Sequence, residues 1–164
     1  MTGLVGDATT LVLHVARASR KSSLAGSPTL ADGLAATLGD EKTVSYFLAD
    51  AGADGLAGVV GDAYKKASRT AGDVQGIARL EGNRLAIQIA DEQSDLDAMA
   101  QLVDLLAPEI MDLEFRYFDG IDWWESWDTA VNLRLPQAVE ISLKIRRTGK
   151  RDSKLVFLSK GEPP

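Results

Sequence analysis

Two segments in the C-terminal half of the chain alternate apolar and polar residues, as strands do when one face is buried and the other faces water. Residues 111–118 place Met, Leu, Phe and Tyr on one face and Asp, Glu, Arg and Phe on the other. Residues 139–146 repeat the pattern, with Val, Ile, Leu and Ile alternating with Glu, Ser, Lys and Arg. Asp119-Gly120 follows the first segment and predicts a hairpin turn, because glycine adopts a positive φ without steric cost. We therefore expect the tryptophan-rich residues that follow to return as a strand.

Five further segments have strand-like patterns: residues 10–17, 43–49, 75–80, 84–90 and 154–159. The first is apolar on both faces, which predicts a central position in its sheet. Glu81-Gly82-Asn83 predicts a hairpin turn between the third and the fourth, with Leu85, Ile87 and Ile89 on the buried face of the fourth. Residues 148–153 are turn formers and predict the connection to the last strand.

Residues 94–106 have the clearest helical pattern in the chain. Ser94 predicts the N-cap, and Asp97 three residues later completes a capping-box arrangement. Pro108 prevents the helix from continuing. The apolar face of this predicted helix consists of Leu96, Met99, Leu102, Val103 and Leu106. A second, short helix is predicted at residues 30–38, directly before a glycine that can end it.

Residues 51–73 are dominated by Gly, Ala and Asp and show little periodicity. This composition predicts a long surface loop or insertion. Aspartates at positions 50, 54, 62 and 73 raise the question of calcium. Their spacing does not match the alternating oxygen ligands of an EF-hand loop, so we interpret them as solvated surface residues.

Together the predicted elements indicate the α+β fold class, mainly antiparallel β, with one or two short helices. The 164 residues are the usual size of one domain and are enough to bury a core. Because no internal repeat or shift in composition marks a boundary, we predict a single globular domain over residues 1–164. Residues 161–164 predict a frayed C-terminal tail.

Composition excludes several classes of function. A net charge of -6 argues against a nucleic-acid partner, whose binding relies on an excess of Lys and Arg. The chain has no cysteine, which excludes disulfides, thiol catalysis and cysteine-based metal sites. The main local exception to the acidic balance is interpreted as a solvated hairpin loop: Arg146, Arg147, Lys150, Arg151 and Lys154.

Candidate catalytic residues are few. His14 is the only histidine, and we expect it to be structural because no second histidine can complete a two-histidine metal site. Asp119, Asp122, Glu125 and Asp128 lie among tryptophans, and acids beside aromatic rings are typical of a glycosidase cleft. Spacing alone does not set two carboxylates across a sugar, and the predicted turn accounts for Asp119. We therefore predict no enzymatic activity, no metal and no cofactor.

Trp123, Trp124 and Trp127 permit a different function. Neighbouring side chains on a strand point to opposite faces, so at least one of Trp123 and Trp124 should be buried. We expect Trp124 to fill the core, and we keep Trp123 as a possible interface residue. Exposed rings in this segment would suit an extracytoplasmic, β-rich carbohydrate- or protein-binding module, which is the alternative function.

One series of residues between positions 115 and 143 occurs in a characteristic order. The series consists of Phe115, Arg116, Tyr117, Phe118, Asp119, Gly120, Trp124, Trp127, Asp128, Leu135, Pro136, Ala138, Val139, Glu140, Ile141 and Leu143. Taken singly these are ordinary sheet residues, and their order makes the series fairly specific. It resembles the C-terminal signature of the J-class minor pseudopilins of type II secretion systems. Residues 76–86 also resemble the middle region of that family.

This resemblance implies a pseudopilin-like globular domain with a structural role. Such a subunit would join the I- and K-class minor pseudopilins at the tip of a short pilus-like fibre, the pseudopilus, and support protein export. It would lie in the cell envelope, as the periplasmic domain of an inner-membrane-anchored protein. Pseudopilins are made with a basic leader, a processing site and a long apolar N-terminal helix, and residues 1–164 contain none of these. We therefore expect the chain to be a fragment that starts after the helix, so that membrane contact needs a helix absent from this chain.

Overall fold

The computed structural model describes residues 3–16, 41–68 and 75–146, together with the backbone of residues 147 and 150–159. The strands in these residues are β1 Gly3–Gly6, β2 Thr10–Ala16, β3 Glu41–Asp50, β4 Gln75–Asn83, β5 Val103–Ala107, β6 Ile110–Phe118, β7 Trp123–Trp124, β8 Trp127–Asp128, β9 Ala138–Arg147 and β10 Lys150–Ser159. The helices are α1 Gly55–Ser68, α2 Arg84–Glu92, α3 Leu96–Ala100 and α4 Thr129–Asn132.

Two antiparallel sheets contain these strands. The larger sheet has six strands in the order β5-β4-β3-β2-β1-β8, and the smaller has four in the order β10-β9-β6-β7. Every strand pair in both sheets is antiparallel. The predicted fold class, α+β and mainly antiparallel β, is therefore confirmed. The predicted central position of the strand at residues 10–17 is also confirmed over β2, which has neighbours on both sides.

Two hydrophobic clusters bury opposite faces of the six-stranded sheet. One lies between the two sheets and is built from Leu4, Leu11, Leu113, Phe115, Tyr117 and Trp127. The other lies between the larger sheet and the helices and is built from Phe47, Ala49, Val60, Ala78, Leu80, Ile87 and Met99. The larger sheet is therefore the middle layer, with the smaller sheet on one face and α1–α3 on the other.

Helix α1 corrects the expectation of a surface loop at residues 51–73. Gly55–Ser68 is a helix of 14 residues, and Val60 on it is buried in the helical cluster. Gly58 and Gly61 lie where the helix passes close to the backbone of residues 50–53. These glycines lower helix propensity and interrupt the apolar pattern, which is why the segment looked irregular in the sequence.

Helix α2 corrects the expectation of a strand at residues 84–90. β4 continues through Asn83, so the predicted hairpin turn at residues 81–83 is also wrong. Asn83 is the N-cap of α2, and its Oδ1 accepts hydrogen bonds from the backbone N–H of Leu85 at 3.0 Å and of Ala86 at 3.2 Å. Of the three residues expected on a buried face, only Ile87 is buried, whereas Leu85 and Ile89 are exposed.

The predicted helix at residues 94–106 is much shorter than expected. Its helical part, α3, spans Leu96–Ala100, and Asp95 rather than Ser94 caps it by accepting the backbone N–H of Ala98 at 3.0 Å. Ser94 has a φ of 53° and connects α2 to α3. Residues 103–107 form the edge strand β5, because pairing with β4 satisfies their backbone groups on one side.

Most of the other predicted strands are confirmed. They lie within β3, β4, β6, β9 and β10. The turn predicted at residues 148–153 is wrong over its second part, because β10 begins at Lys150 and pairs with β9 from there. The helix predicted at residues 30–38 and the tail at 161–164 lie outside the described residues. Among the helices that the structure describes, none has the length and apolar character needed to cross a membrane.

Candidate functional site

β6 carries the first part of the characteristic series. Phe115 and Tyr117 point into the cluster between the sheets and are fully buried, whereas Arg116 and Phe118 lie on the opposite face. The Tyr117 hydroxyl donates a hydrogen bond to the carbonyl oxygen of Asp7 at 3.0 Å, which ties β6 to the turn between β1 and β2. A Cβ atom on Gly6 would lie 2.0 Å from that hydroxyl oxygen, so glycine is required for the contact.

Asp119 organises the turn that follows β6. Its Oδ1 accepts hydrogen bonds from the backbone N–H of Ile121 at 2.7 Å and of Asp122 at 2.8 Å. Its Oδ2 accepts the Trp124 Nε1–H at 3.1 Å, so the same carboxylate orients the indole ring. Gly120 has a φ of 109°, as the predicted turn requires. The sequence therefore anticipated both the turn and the reason for Asp119.

The pKa of Asp119 should report this turn directly. The backbone N–H of Asp122, followed by that of Ile121, lowers the pKa of the carboxyl below its ordinary value, because both groups donate to the charged form. A lowered carboxyl pKa stabilises the fold above the unfolded-state value of about 3.9 and loses that contribution as pH falls through the folded-state value. We expect an NMR titration to place the Asp119 midpoint below the ordinary value of an aspartate, with the Trp124 indole N–H signal shifting at the same pH. A midpoint at or above the ordinary value would contradict the hydrogen-bonded turn.

The three tryptophans occupy three different environments. Trp127 is buried between the sheets, and its Nε1 donates to the Arg134 carbonyl oxygen at 3.1 Å. Trp123 is half-buried, with its ring centroid 5.1 Å from that of Phe118 and 5.7 Å from the guanidinium carbon of Arg116. Trp124 is 52% exposed, so its expected place in the core is wrong.

A break in the predicted strand explains why Trp124 is exposed rather than buried. β7 contains only Trp123 and Trp124, and it is the edge strand of the smaller sheet. The next strand, β8, joins the larger sheet by pairing with β1, and this change of sheet carries Trp127 into the core. Alternation along one continuous strand could not anticipate that exchange. The interface role considered for Trp123 stays a prediction.

The last part of the series returns the chain to the sheet. Val139 pairs with Tyr117 across β9 and β6 and packs against the cluster between the sheets. Pro136 is half-buried, whereas Leu135 is exposed. The backbone N–H of Gln137 donates to the Phe118 carbonyl oxygen at 2.8 Å, which closes the connection between β6 and β9. The series therefore encloses the connecting residues 119–135.

A groove of about 410 Å³ lies on this connection. Trp124 and Val131 line it, together with Val5 from β1. Its polar lining comes from Asp119, Ser126, Asp128, Asn132 and Arg134. We call this feature the Trp124 groove. Four aliphatic side chains of this connection are strongly exposed, and Val131 is the one of them that lines the groove: Ile121, Val131, Leu133 and Leu135.

The acids of the groove have structural partners. Asp128 is the N-cap of α4, and its Oδ1 accepts the backbone N–H of Ala130 at 2.7 Å. Asp119 is occupied by the turn described above, whereas Asp122 and Glu125 are exposed. The arrangement thus uses two of the four carboxylates to order the backbone. In the part of the chain that the structure describes, no three His, Asp or Glu side chains converge as metal ligands would.

A second groove, of about 560 Å³, lies between β2, β3 and α2. His14 lines it, with Nδ1 3.1 Å from the hydroxyl oxygen of Thr43. Burial lowers the pKa of His14, and the positive charge of Arg84 lowers it further. A neutral ring that hydrogen-bonds a buried threonine fits the structural role expected for His14, which stays a prediction.

Sequence reasoning missed the exposed aliphatic residues around Trp124. Val131, Leu133 and Leu135 are apolar at every second position, but Val131 lies in α4 and the other two follow it, so they do not form a strand. The signal in the sequence for their exposure was their position among helix-capping and turn residues, because apolar residues in such a connection have no sheet to pack against. An unpaired alternating run within a polar connection indicates surface exposure as readily as a strand.

Comparison with known proteins gives one match. Residues 77–157, about half of the chain, match the family model described as type II secretion system (T2SS), protein J. No curated protein and no solved structure gives a significant match. The matched region begins in β4 and ends in β10, and it contains the whole characteristic series. This chain therefore belongs to the type II secretion system protein J family, the J-class minor pseudopilins, which are components of the cell envelope.

Proposed function

We propose that this domain is the J-class subunit of the pseudopilus tip, where it binds the I- and K-class minor pseudopilins and supports protein export. The observation that carries the proposal is the family match over residues 77–157. The family is structural rather than catalytic, and its members associate with other pseudopilins. The function proposed here is accordingly protein–protein recognition, with no reaction and no cofactor.

The architecture supports an assembly role. The matched residues include β6, β7 and β9 of the smaller sheet and the entire connection that carries the Trp124 groove. Exposed aromatic and aliphatic side chains on a defined backbone are typical of protein contact surfaces, which have an apolar centre and a polar rim. The domain therefore exposes side chains of the kind that the proposed contacts would use.

Inner-membrane anchoring is part of this proposal. In this family an apolar N-terminal helix would hold the globular domain at the periplasmic face of the inner membrane. The natural gene should then encode a basic leader and ~20 apolar residues ahead of the domain, the length that spans a bilayer. Membrane fractionation of the natural gene product should recover it with the inner membrane. Recovery in the soluble fraction alone would contradict the anchoring.

Reconstitution of the complex tests the function itself. We expect the purified domain to co-elute with the globular domains of the I- and K-class pseudopilins from the same gene cluster, at equimolar ratio by light scattering. The control is the I–K mixture without this domain, together with a mixture containing the major pseudopilin. A domain that stays separate at concentrations of tens of micromolar would contradict the assembly role.

The carbohydrate-binding alternative retains one supporting observation. Trp124 is an exposed ring beside the hydrogen-bonding side chains of Asn132 and Arg134, as in a sugar-stacking site. Titration with a soluble oligosaccharide such as cellohexaose would quench Trp124 fluorescence if the ring stacks on sugars. Saturable quenching without binding to either pseudopilin would favour this alternative over the assembly role.

A further inference from the structure

We propose that the Trp124 groove is the docking surface for a companion minor pseudopilin, and that it takes an apolar side chain flanked by Lys or Arg. This inference rests on the function proposed above and specifies the surface and the chemistry of its partner. The apolar lining of the groove comes from Val5, Trp124, Trp127 and Val131. The exposed apolar side chains, the backbone strain at Leu133, the hydrogen bonds that order the groove and the charge around it each indicate what the groove binds.

The most exposed large apolar side chains of the described residues lie on the connection that carries this groove. Trp124 is 52% exposed, Val131 is 77% exposed and Leu133 is 88% exposed. Leu133 lies in sequence between Asn132 and Arg134, which both line the groove. Isolated exposed apolar residues need no explanation, but a cluster around a groove marks an interaction site. These side chains contribute little to the fold and are available to a partner.

Leu133 also has an unfavourable backbone conformation. As the residue that ends α4, it has a φ of 55° and a ψ of 17°, in the left-handed region. That region suits Gly or Asn, whereas a branched apolar residue there is strained. Strain of this kind persists at functional sites because another requirement outweighs it. Leucine at this position is therefore explained by a binding role that glycine or asparagine could not fill.

The groove is preorganised by hydrogen bonds on both sides. Asp119 holds the Trp124 ring, and Asp128 caps α4. Thr129 fixes α4 to β1, because its hydroxyl accepts the Leu4 backbone N–H at 3.0 Å and donates to the Leu4 carbonyl oxygen at 2.8 Å. A surface ordered before binding loses less conformational entropy when a partner docks. The geometry is thus suited to a specific protein contact.

Charge defines the chemistry of the partner. Residues 119–135 contain four carboxylates, at positions 119, 122, 125 and 128, and a single cation, Arg134. Among the described residues, Arg134 lines the groove and the guanidinium carbon of Arg116 lies 5.7 Å from the Trp123 ring centroid, whereas Arg146 contacts Met111 near the far end of β6. Met111 is seven positions before Phe118 along β6, which corresponds to a distance of about 23 Å. Four carboxylates and one arginine give residues 119–135 a net charge of -3, which a cationic partner would complement.

Three substitutions test the surface against the I- and K-class globular domains by calorimetric titration. We expect Trp124→Ser, Val131→Ser and Leu133→Asn each to weaken binding of one companion at least about tenfold, as loss of a central contact does. Leu85→Ser on α2 is the matched control, because Leu85 is also 52% exposed and lies outside the groove. Asparagine tolerates the left-handed conformation, so Leu133→Asn should fold at least as well as the wild-type protein.

The outcomes separate the docking surface from the assembly role. If the wild-type domain binds a companion and all three groove variants bind equally well, the docking surface is overturned and the assembly role stands. If the wild-type domain binds neither companion, both proposals fall. Quenching of Trp124 by cellohexaose alone, or self-association of the domain through the groove, would also overturn the pseudopilin as occupant.

A charge variant tests the cationic character of the partner. We expect Asp122→Asn combined with Glu125→Gln to weaken binding severalfold at low ionic strength and to reduce its salt dependence. Wild-type binding should weaken as salt shortens the screening length from about 10 Å at 0.1 M to about 3 Å at 1 M. Binding that is insensitive to both salt and this double substitution would overturn the cationic partner, even if Trp124→Ser abolishes the contact.

Discussion

Phe115→Ala is expected to lower the free energy of unfolding by about 3–5 kcal/mol, the range for removing a buried aromatic ring from a packed core. Phe115 is 1% exposed and lies in the cluster that joins the two sheets. Its backbone N–H also donates to the carbonyl oxygen of Ala8 at 2.8 Å, so β6 meets the β1–β2 turn at this residue. Both sheets lose contacts when the ring is removed, and the strands around it cannot collapse into the space without shifting.

Urea unfolding monitored by circular dichroism and by fluorescence measures this loss. Leu135→Ala is the control, because Leu135 is exposed and its truncation should change stability by no more than about 0.5 kcal/mol. Small domains have a total stability of about 5–15 kcal/mol, so the Phe115 variant should remain measurable under mild conditions. A loss below about 1 kcal/mol would mean that the two sheets do not share this cluster.

The strands that sequence reasoning located correctly have a common property. In β6 and β9 one face packs against another layer along most of the strand, so the side chains alternate. β3 packs on both faces and is recognisable instead by its β-branched and aromatic residues. The Asp119-Gly120 turn is also predictable from the sequence, because an aspartate followed by a residue that tolerates a positive φ is typical of a turn. Local chemistry of this kind is visible in sequence because each residue's role depends on its immediate neighbours.

The errors arose where tertiary contacts decide the structure. In α2, Leu85, Ile87 and Ile89 alternate as a strand would, but only Ile87 reaches the core. The prediction places Asn83 in a turn, although an asparagine directly before residues 84–90 is equally typical of a helix N-cap. The exposed Trp124 has no such local signal, because its position depends on β8 leaving one sheet for the other. The Trp124 groove therefore became visible only with the fold.

Gly61→Ala should destabilise the domain by about 1–3 kcal/mol, the usual cost of overpacking, although the same exchange in an open helix stabilises by up to about 1 kcal/mol. Gly61 is buried where α1 crosses the end of β3. A Cβ atom there would lie 2.4 Å from the backbone nitrogen of Ala51 and 2.5 Å from the carbonyl carbon of Asp50. Backbone atoms cannot rotate away as a side chain can, so the helix must move off the sheet.

The sign of the Gly61 effect distinguishes a packed helix from a solvated one. Ala63→Gly provides the propensity reference, because Ala63 is exposed on the same helix and should lose about 1 kcal/mol. Hydrogen exchange should show faster exchange of α1 amides in Gly61→Ala, whereas β6 and β9 remain protected. Stabilisation by Gly61→Ala would mean that α1 does not contact residues 50–51 and that residues 51–73 behave as the surface segment expected from composition. Destabilisation confined to α1 would instead show that its glycines allow the helix to pack closely against residues 50–51. The abundance of glycine in residues 51–73 then reflects packing, whereas the sequence analysis takes it as typical of a surface loop.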